Sequence, residues 1–185
     1  MTATRDEIAK LYVATFDRAA DADGLAYWIS DGTSATTSLT DIEDLASAMT
    51  DSAEYKALYD GMDREHIVTA MYNNLFDRAP DASGLTYWVS GDGATVPVDE
   101  LIIALINGAK DDDAGQDKTI MDNKATVGLA YADAGLNDVA EAKTILSGVT
   151  ADPATVTAAE AEVNNLVPQT FDLTTGADAL VGGKA

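Results

Sequence analysis

The chain has 185 residues, 32 acidic against 11 basic, a net charge of −21, no cysteine and a single histidine, His66. That balance repels phosphate backbones and excludes direct nucleic-acid binding without a concentrated basic patch, of which the sequence has none. The missing cysteines exclude disulfides, thiolate zinc sites and cysteine nucleophiles, while the length suffices for one or two domains with real cores.

Thr4 and Glu7 form a capping-box pair ahead of Ile8, Leu11, Tyr12 and Phe16, which share one helical face. A turn from Asp21 to Gly24, in which Gly24 can take positive φ, introduces a short helix over 25–29. After a polar loop, a third helix carries Ile42, Leu45, Ala46 and Met49 behind a Thr40–Glu43 capping pair, and the chain runs on through Tyr55, Leu58 and Tyr59. The same order then returns. Residues 12–30 (YVATFDRAADADGLAYWIS) align without a gap with residues 72–90 (YNNLFDRAPDASGLTYWVS), sixty positions later, and twelve of the nineteen pairs are identical.

In the second copy, Asp63 precedes the stripe Val68, Met71, Tyr72, Leu75 and Phe76, and Gly84 opens a short helix over 85–89. Ile102, Leu105, Ile106 and Ala109 continue the sixty-residue offset into the third helix, which Asp99 is expected to cap. The copies part at Asp51 and Asp111, where the second enters the acidic run 111–113. A long helix is predicted around 120–134, followed by helices capped near Asp138 with Glu141 and near Thr157 with Glu160, with Pro153 in the loop between them.

The sequence thus reads as an all-α bundle. It comprises one helical repeat over 1–60, a second over 61–112, C-terminal helices over 113–166 packed on the repeats, and an extended tail over 167–185. No run approaches the ~20 apolar residues needed to cross a bilayer, and the most apolar stretch, LIIALI at 101–106, reads as a buried helix turn. The N-terminus lacks the basic segment and apolar core of a secretory signal.

No GxSxG, HExxH, glycine-rich phosphate loop or CxxC is present, so the chain reads as non-enzymatic. The repeated FDRAxDAxGLxYW motif admits two readings. In the structural one, Tyr12, Phe16, Leu25, Trp28 and their copies are core, and Arg18 and Arg78 bond the turn carbonyls or pair with Asp21 and Asp81. In the binding one, Tyr27, Trp28, Tyr87 and Trp88 present ring faces to sugar rings beside Arg18 and Arg78. Asp17, Asp21 and Asp23, ahead of Gly24, suggest a calcium loop, although no late glutamate occurs at EF-hand spacing and the second copy has Ser83 in place of Asp23.

These residues resemble a helical repeat catalogued as a bacterial domain of unknown function, over residues 8–50 and 67–109. It is frequent near the N-termini of S-layer proteins and of large calcium-binding repeats-in-toxin (RTX) exoproteins. The stretch from Asp122 onward is similar to the segment C-terminal to that repeat in such proteins, and the terminal GADALVGG resembles the entry to a glycine-aspartate repeat region. The resemblance implies an extracellular, cell-surface domain exported by a type I system and anchored to lipopolysaccharide outside the outer membrane, leading into an RTX-like β region. A net charge of −21 cannot approach an anionic lipopolysaccharide core by attraction. Anchoring therefore requires either neutral O-polysaccharide in a groove between the two units or calcium bridging carboxylates to phosphate. The alternatives are a module that assembles with neighbouring protein subunits and an accessory domain of a secreted hydrolase.

Overall fold

The computed structural model describes residues 3–29, 41–110 and 115–168, leaving aside the side chain of Lys110. The acidic run 111–113, Thr40 and the tail from residue 169, GADALVGG included, lie outside the described residues. Within them the protein is all-α, with no strand. The elements in chain order are α1 (Arg5–Phe16), α2 (Ala22–Ile29), α3 (Ile42–Thr50), α4 (Ala53–Tyr59), α5 (Arg64–Phe76), α6 (Ala82–Ser90), a 3-10 turn (Asp92–Thr95), α7 (Val98–Lys110), α8 (Gln116–Asp133), α9 (Val139–Thr144) and α10 (Pro153–Leu166).

The helix starts obey their caps. Thr4 and Glu7 close a reciprocal capping box on α1, and Asp63 and Asp138 cap α5 and α9 as their sequence positions predict. Three starts differ from expectation. Asp41 caps α3 by accepting from Asp44 N–H, so the Thr40–Glu43 pair is one residue early. Asp99 lies inside the first turn of α7 rather than at its cap. Asp152 caps α10 and Pro153 is its first helical residue, since a proline at N1 forfeits only an N–H that has no helical acceptor. The helix therefore begins well before Thr157.

Gly24 and Gly84 do not adopt positive φ. The left-handed residues are Asp17 (φ 53°) and Asp77 (φ 55°), which end α1 and α5. Aspartate tolerates this region better than most non-glycine residues. Gly24 is required for a different reason: a Cβ there would collide with the Tyr12 hydroxyl and lie 2.8 Å from the Asp21 carboxylate, which accepts Gly24 N–H.

One contiguous core joins all segments, from Ile8 and Leu11 through Met71, Leu101 and Met121 to Tyr131 and Val163. Helices α1 and α8 are its axis: α1 packs on α8, α5, α3 and α2, and α8 also packs on α10 and α5. In the third-helix stripes Leu45, Ala46 and Met49, and Ile102, Leu105, Ile106 and Ala109, are buried, whereas Ile42, the counterpart of Ile102, is half-buried. The units differ in their cover. Ala19 N–H donates to Ala142 O and Ala22 N–H to Leu136 O, so the C-terminal segment lies over the first-unit turn, whereas Ala79 at the equivalent second-unit position is exposed.

Candidate functional site

Helices α1 and α5 pack side by side, and their equivalent positions meet directly. Asn74, sixty residues after Ala14, donates from Nδ2 to Ala14 O at 2.9 Å and to the Tyr59 hydroxyl at 3.0 Å. Both helices therefore end beside one another, each with an aspartate in the left-handed region. Neither has a basic residue in its own last turn to face the C-terminal carbonyls. The cations arrive from other helices: buried Lys124 of α8 donates to Asn74 O at 2.7 Å and to Asp77 at 2.5 Å, and Lys143 of α9 pairs with Asp17 at 2.8 Å.

These ends open into a groove of about 860 Å³. Phe16, Asp17 and Arg18 line it from the first unit, Asn74 and Asp77 from the second, Glu54 and Leu58 from α4, Lys124 from α8, and Val139, Lys143 and Leu146 from the α9 segment. Arg18, 5 % exposed, forms a bidentate bond to Glu54 at 2.6 and 2.9 Å, and also donates to Asp21 and to Ala19 O. Burial opposes its charge, but the bonds to Glu54 and Asp21 outweigh burial and hold its pKa above the ordinary value. Three carboxylates, Asp17, Glu54 and Asp77, thus face three cations, Arg18, Lys124 and Lys143. In a chain of net charge −21 the groove wall is neutral. Between the charges lie apolar patches from Phe16, Leu58, Val139 and Leu146.

Of the six residues expected to contact ligand, Arg18 alone lines this groove. Tyr27 and Tyr87 are 49 % and 46 % exposed on α2 and α6, each edge-on to the adjacent Trp28 or Trp88 at 4.8 Å between centroids. Trp28 is half-buried and donates its Nε1–H to the Tyr12 hydroxyl at 3.0 Å. Arg78 is exposed and pairs with Asp117 at 2.9 and 2.5 Å; together with Trp88 it lines a separate pocket of about 190 Å³. The three aspartates expected to bind calcium serve separate partners: Asp17 pairs with Lys143, Asp21 bonds Arg18 and Gly24 N–H, and Asp23 is exposed, its backbone N–H donating to Asn137. Among the described residues no group of three or more His, Asp or Glu side chains is placed to hold a metal ion.

Sequence reasoning missed Asn74, Lys124, Lys143 and Glu54. A signal existed for two of them, because Asn74 and Lys124 are polar residues on otherwise apolar helical faces, next to Leu75 and Ala125. Lys143 and Glu54 are ordinary exposed-looking charges, and nothing in their spacing distinguishes them.

Residues 46–94 match the model of a family described as a domain of unknown function, DUF4214. The match is a single span from within α3 through α6 into the 3-10 turn, crossing the junction between the two copies. Comparison of the chain with curated proteins and with solved structures gives no match. No helix among the described residues is long and apolar enough to cross a membrane.

Proposed function

We propose that this chain is a non-enzymatic anchoring domain of an S-layer or RTX-type surface protein, and that it holds the neutral O-polysaccharide of lipopolysaccharide in the groove where α1 and α5 end. The observation that carries this reading is the electroneutral, amphipathic groove wall on a strongly acidic molecule. Anionic ligands are repelled by the molecule as a whole, and a simple cation gains nothing from a wall whose carboxylates are already paired. A neutral sugar chain meets both its needs there: hydroxyls find donors and acceptors in the Asp17–Lys143 and Arg18–Glu54 pairs, and its C–H faces find Phe16, Leu58 and Val139.

The test is co-sedimentation with smooth and with rough lipopolysaccharide, in calcium and in chelator, at low and high salt. Retention on smooth but not rough material, changed less than about threefold by salt and by chelator, is the expected result, because no net charge pairing is involved. Val139→Asp with Lys143→Glu should reduce retention at least tenfold. Equal retention on rough material, or none on either, overturns the reading; release by chelator replaces the groove with calcium bridging. A second reading, assembly with another protein subunit, is favoured by Tyr27 and Ile29, both exposed on α2. It predicts concentration-dependent association in sedimentation without sugar.

A further inference from the structure

The geometry points to a second binding site, in the second repeat unit: a pocket beside Arg78 and Trp88 that takes a single neutral pyranose ring. This rests on reading the domain as a polysaccharide binder, and adds where one sugar residue is gripped. The pocket, about 190 Å³, lies between α5, α6, α7 and the start of α8. It is smaller than the ~300–1,000 Å³ sites of drug-sized ligands, and so suits one ring and not a chain.

Two substitutions between the copies distinguish it. Gly108 and Ala109 line the pocket, and the first unit has Ala48 and Met49 at the same offset, with Met49 fully buried in the core. The first unit is also drawn tighter around its tyrosine: a Cβ on Gly24 would strike the Tyr12 hydroxyl, whereas one on Gly84 would lie 3.3 Å from that of Tyr72. The arginines show the same difference, since the Arg18 side chain is 6 % exposed and that of Arg78 44 %.

The pocket chemistry selects a neutral polyol. Arg78 spends three of its five N–H donors on Asp117 and Ala79 O. Its pairing with Asp117 cancels charge, so neither an anion nor a cation is favoured. The guanidinium still offers donors and Asp117 further lone pairs, side by side, which is what adjacent hydroxyls require. Trp88, hydrogen-bonded to Tyr72, supplies aromatic lining beside Tyr72 and Phe76, over whose rings the Arg78 guanidinium lies.

The chain contains two tryptophans, one per unit, so their indole N–H signals report the two positions separately. Nitrogen-15 labelled protein is titrated with methyl pyranosides (gluco, manno, galacto and N-acetylglucosamine forms) and with O-polysaccharide released from smooth lipopolysaccharide. The Trp88 signal is expected to move and that of Trp28 to stay. Ala109→Met, which restores the first-unit residue, should weaken the response at least tenfold. Gly108→Ala, whose added methyl meets nothing within 4 Å, provides a variant that leaves the fold undisturbed and should also weaken it. A motionless Trp88, equal movement of both signals, or an unchanged response in Ala109→Met with native thermal unfolding overturns the site. If O-polysaccharide is retained while Trp88 stays still, the pocket is refuted and the groove stands; if nothing is retained and nothing moves, both fall.

Discussion

Arg18 and Arg78 occupy the same place in the same motif, each over its tyrosine ring at 5.0 and 5.4 Å, yet they contribute unequally. Arg18 is sealed against Glu54 and Asp21, so Arg18→Ala leaves the Asp21 carboxylate with 16 % exposure and no guanidinium partner. A loss of about 3 kcal/mol is expected, the scale for breaking a buried ion pair. Arg78 is 44 % exposed although its partner Asp117 is only 15 % exposed, so Arg78→Ala should cost less than Arg18→Ala, about 1–2 kcal/mol. Urea denaturation of the two variants checks the contrast. The motif was readable in the sequence down to the arginine bond with the adjacent turn carbonyl; the burial that separates the two copies was not. It depends on Glu54 and on the 136–142 segment, which no local pattern connects to the motif.

At the scale of elements, the ends of α1 and α5 show how a repeat is turned to different use. Asp77 is held by Lys124, which is 4 % exposed, whereas Asp17 is held by Lys143, whose side chain is 60 % exposed. Asp77→Asn should therefore cost about 2 kcal/mol by leaving a buried ammonium without its counter-charge. Asp17→Asn should cost less than about 1 kcal/mol, and thermal melts of the two variants check the difference. The start of α5 carries a pH-dependent contact. Asp63 accepts from His66 N–H and meets its Nδ1 at 2.7 Å, which raises the imidazole pKa above 6.5 and lowers that of the carboxyl below 3.8. For His66 the contribution is complete below its unfolded pKa and is lost as pH rises through the folded one. For Asp63 it is present above the unfolded pKa and lost as pH falls through the folded one. The contact thus operates between those limits. An NMR titration should place the His66 midpoint above 6.5, and Asp63→Asn should lower it.

Over the whole molecule, a net charge of −21 opposes the folded state, since the chain carries 32 acidic residues against 11 basic ones. Raising salt from about 0.01 M to 0.5 M shortens the screening length from about 30 Å to under 10 Å. The melting temperature should therefore rise by several degrees across that range in calorimetry, while polysaccharide retention stays nearly constant if the groove is as neutral as its residues indicate. Unequal salt responses of stability and binding would separate the charge of the molecule from that of its site.

By itself, the sequence determined the helical class, the sixty-residue duplication and the apolar stripes of α1, α3, α5 and α7, because periodicity and capping are local and survive in any context. Its core reading of the motif holds for Tyr12, Phe16, Leu25 and Phe76, which are buried, while Trp28, Tyr72, Leu85 and Trp88 are only half-buried. Only the tertiary structure decided that α1 and α5 finish side by side, so that Asp17, Asp77 and Asn74 face one groove with Lys124 and Lys143. The reason is physical: a groove wall is assembled from residues as far apart in the chain as Phe16 and Ser147, and its neutrality is a property of pairings across space that a string of charges does not display.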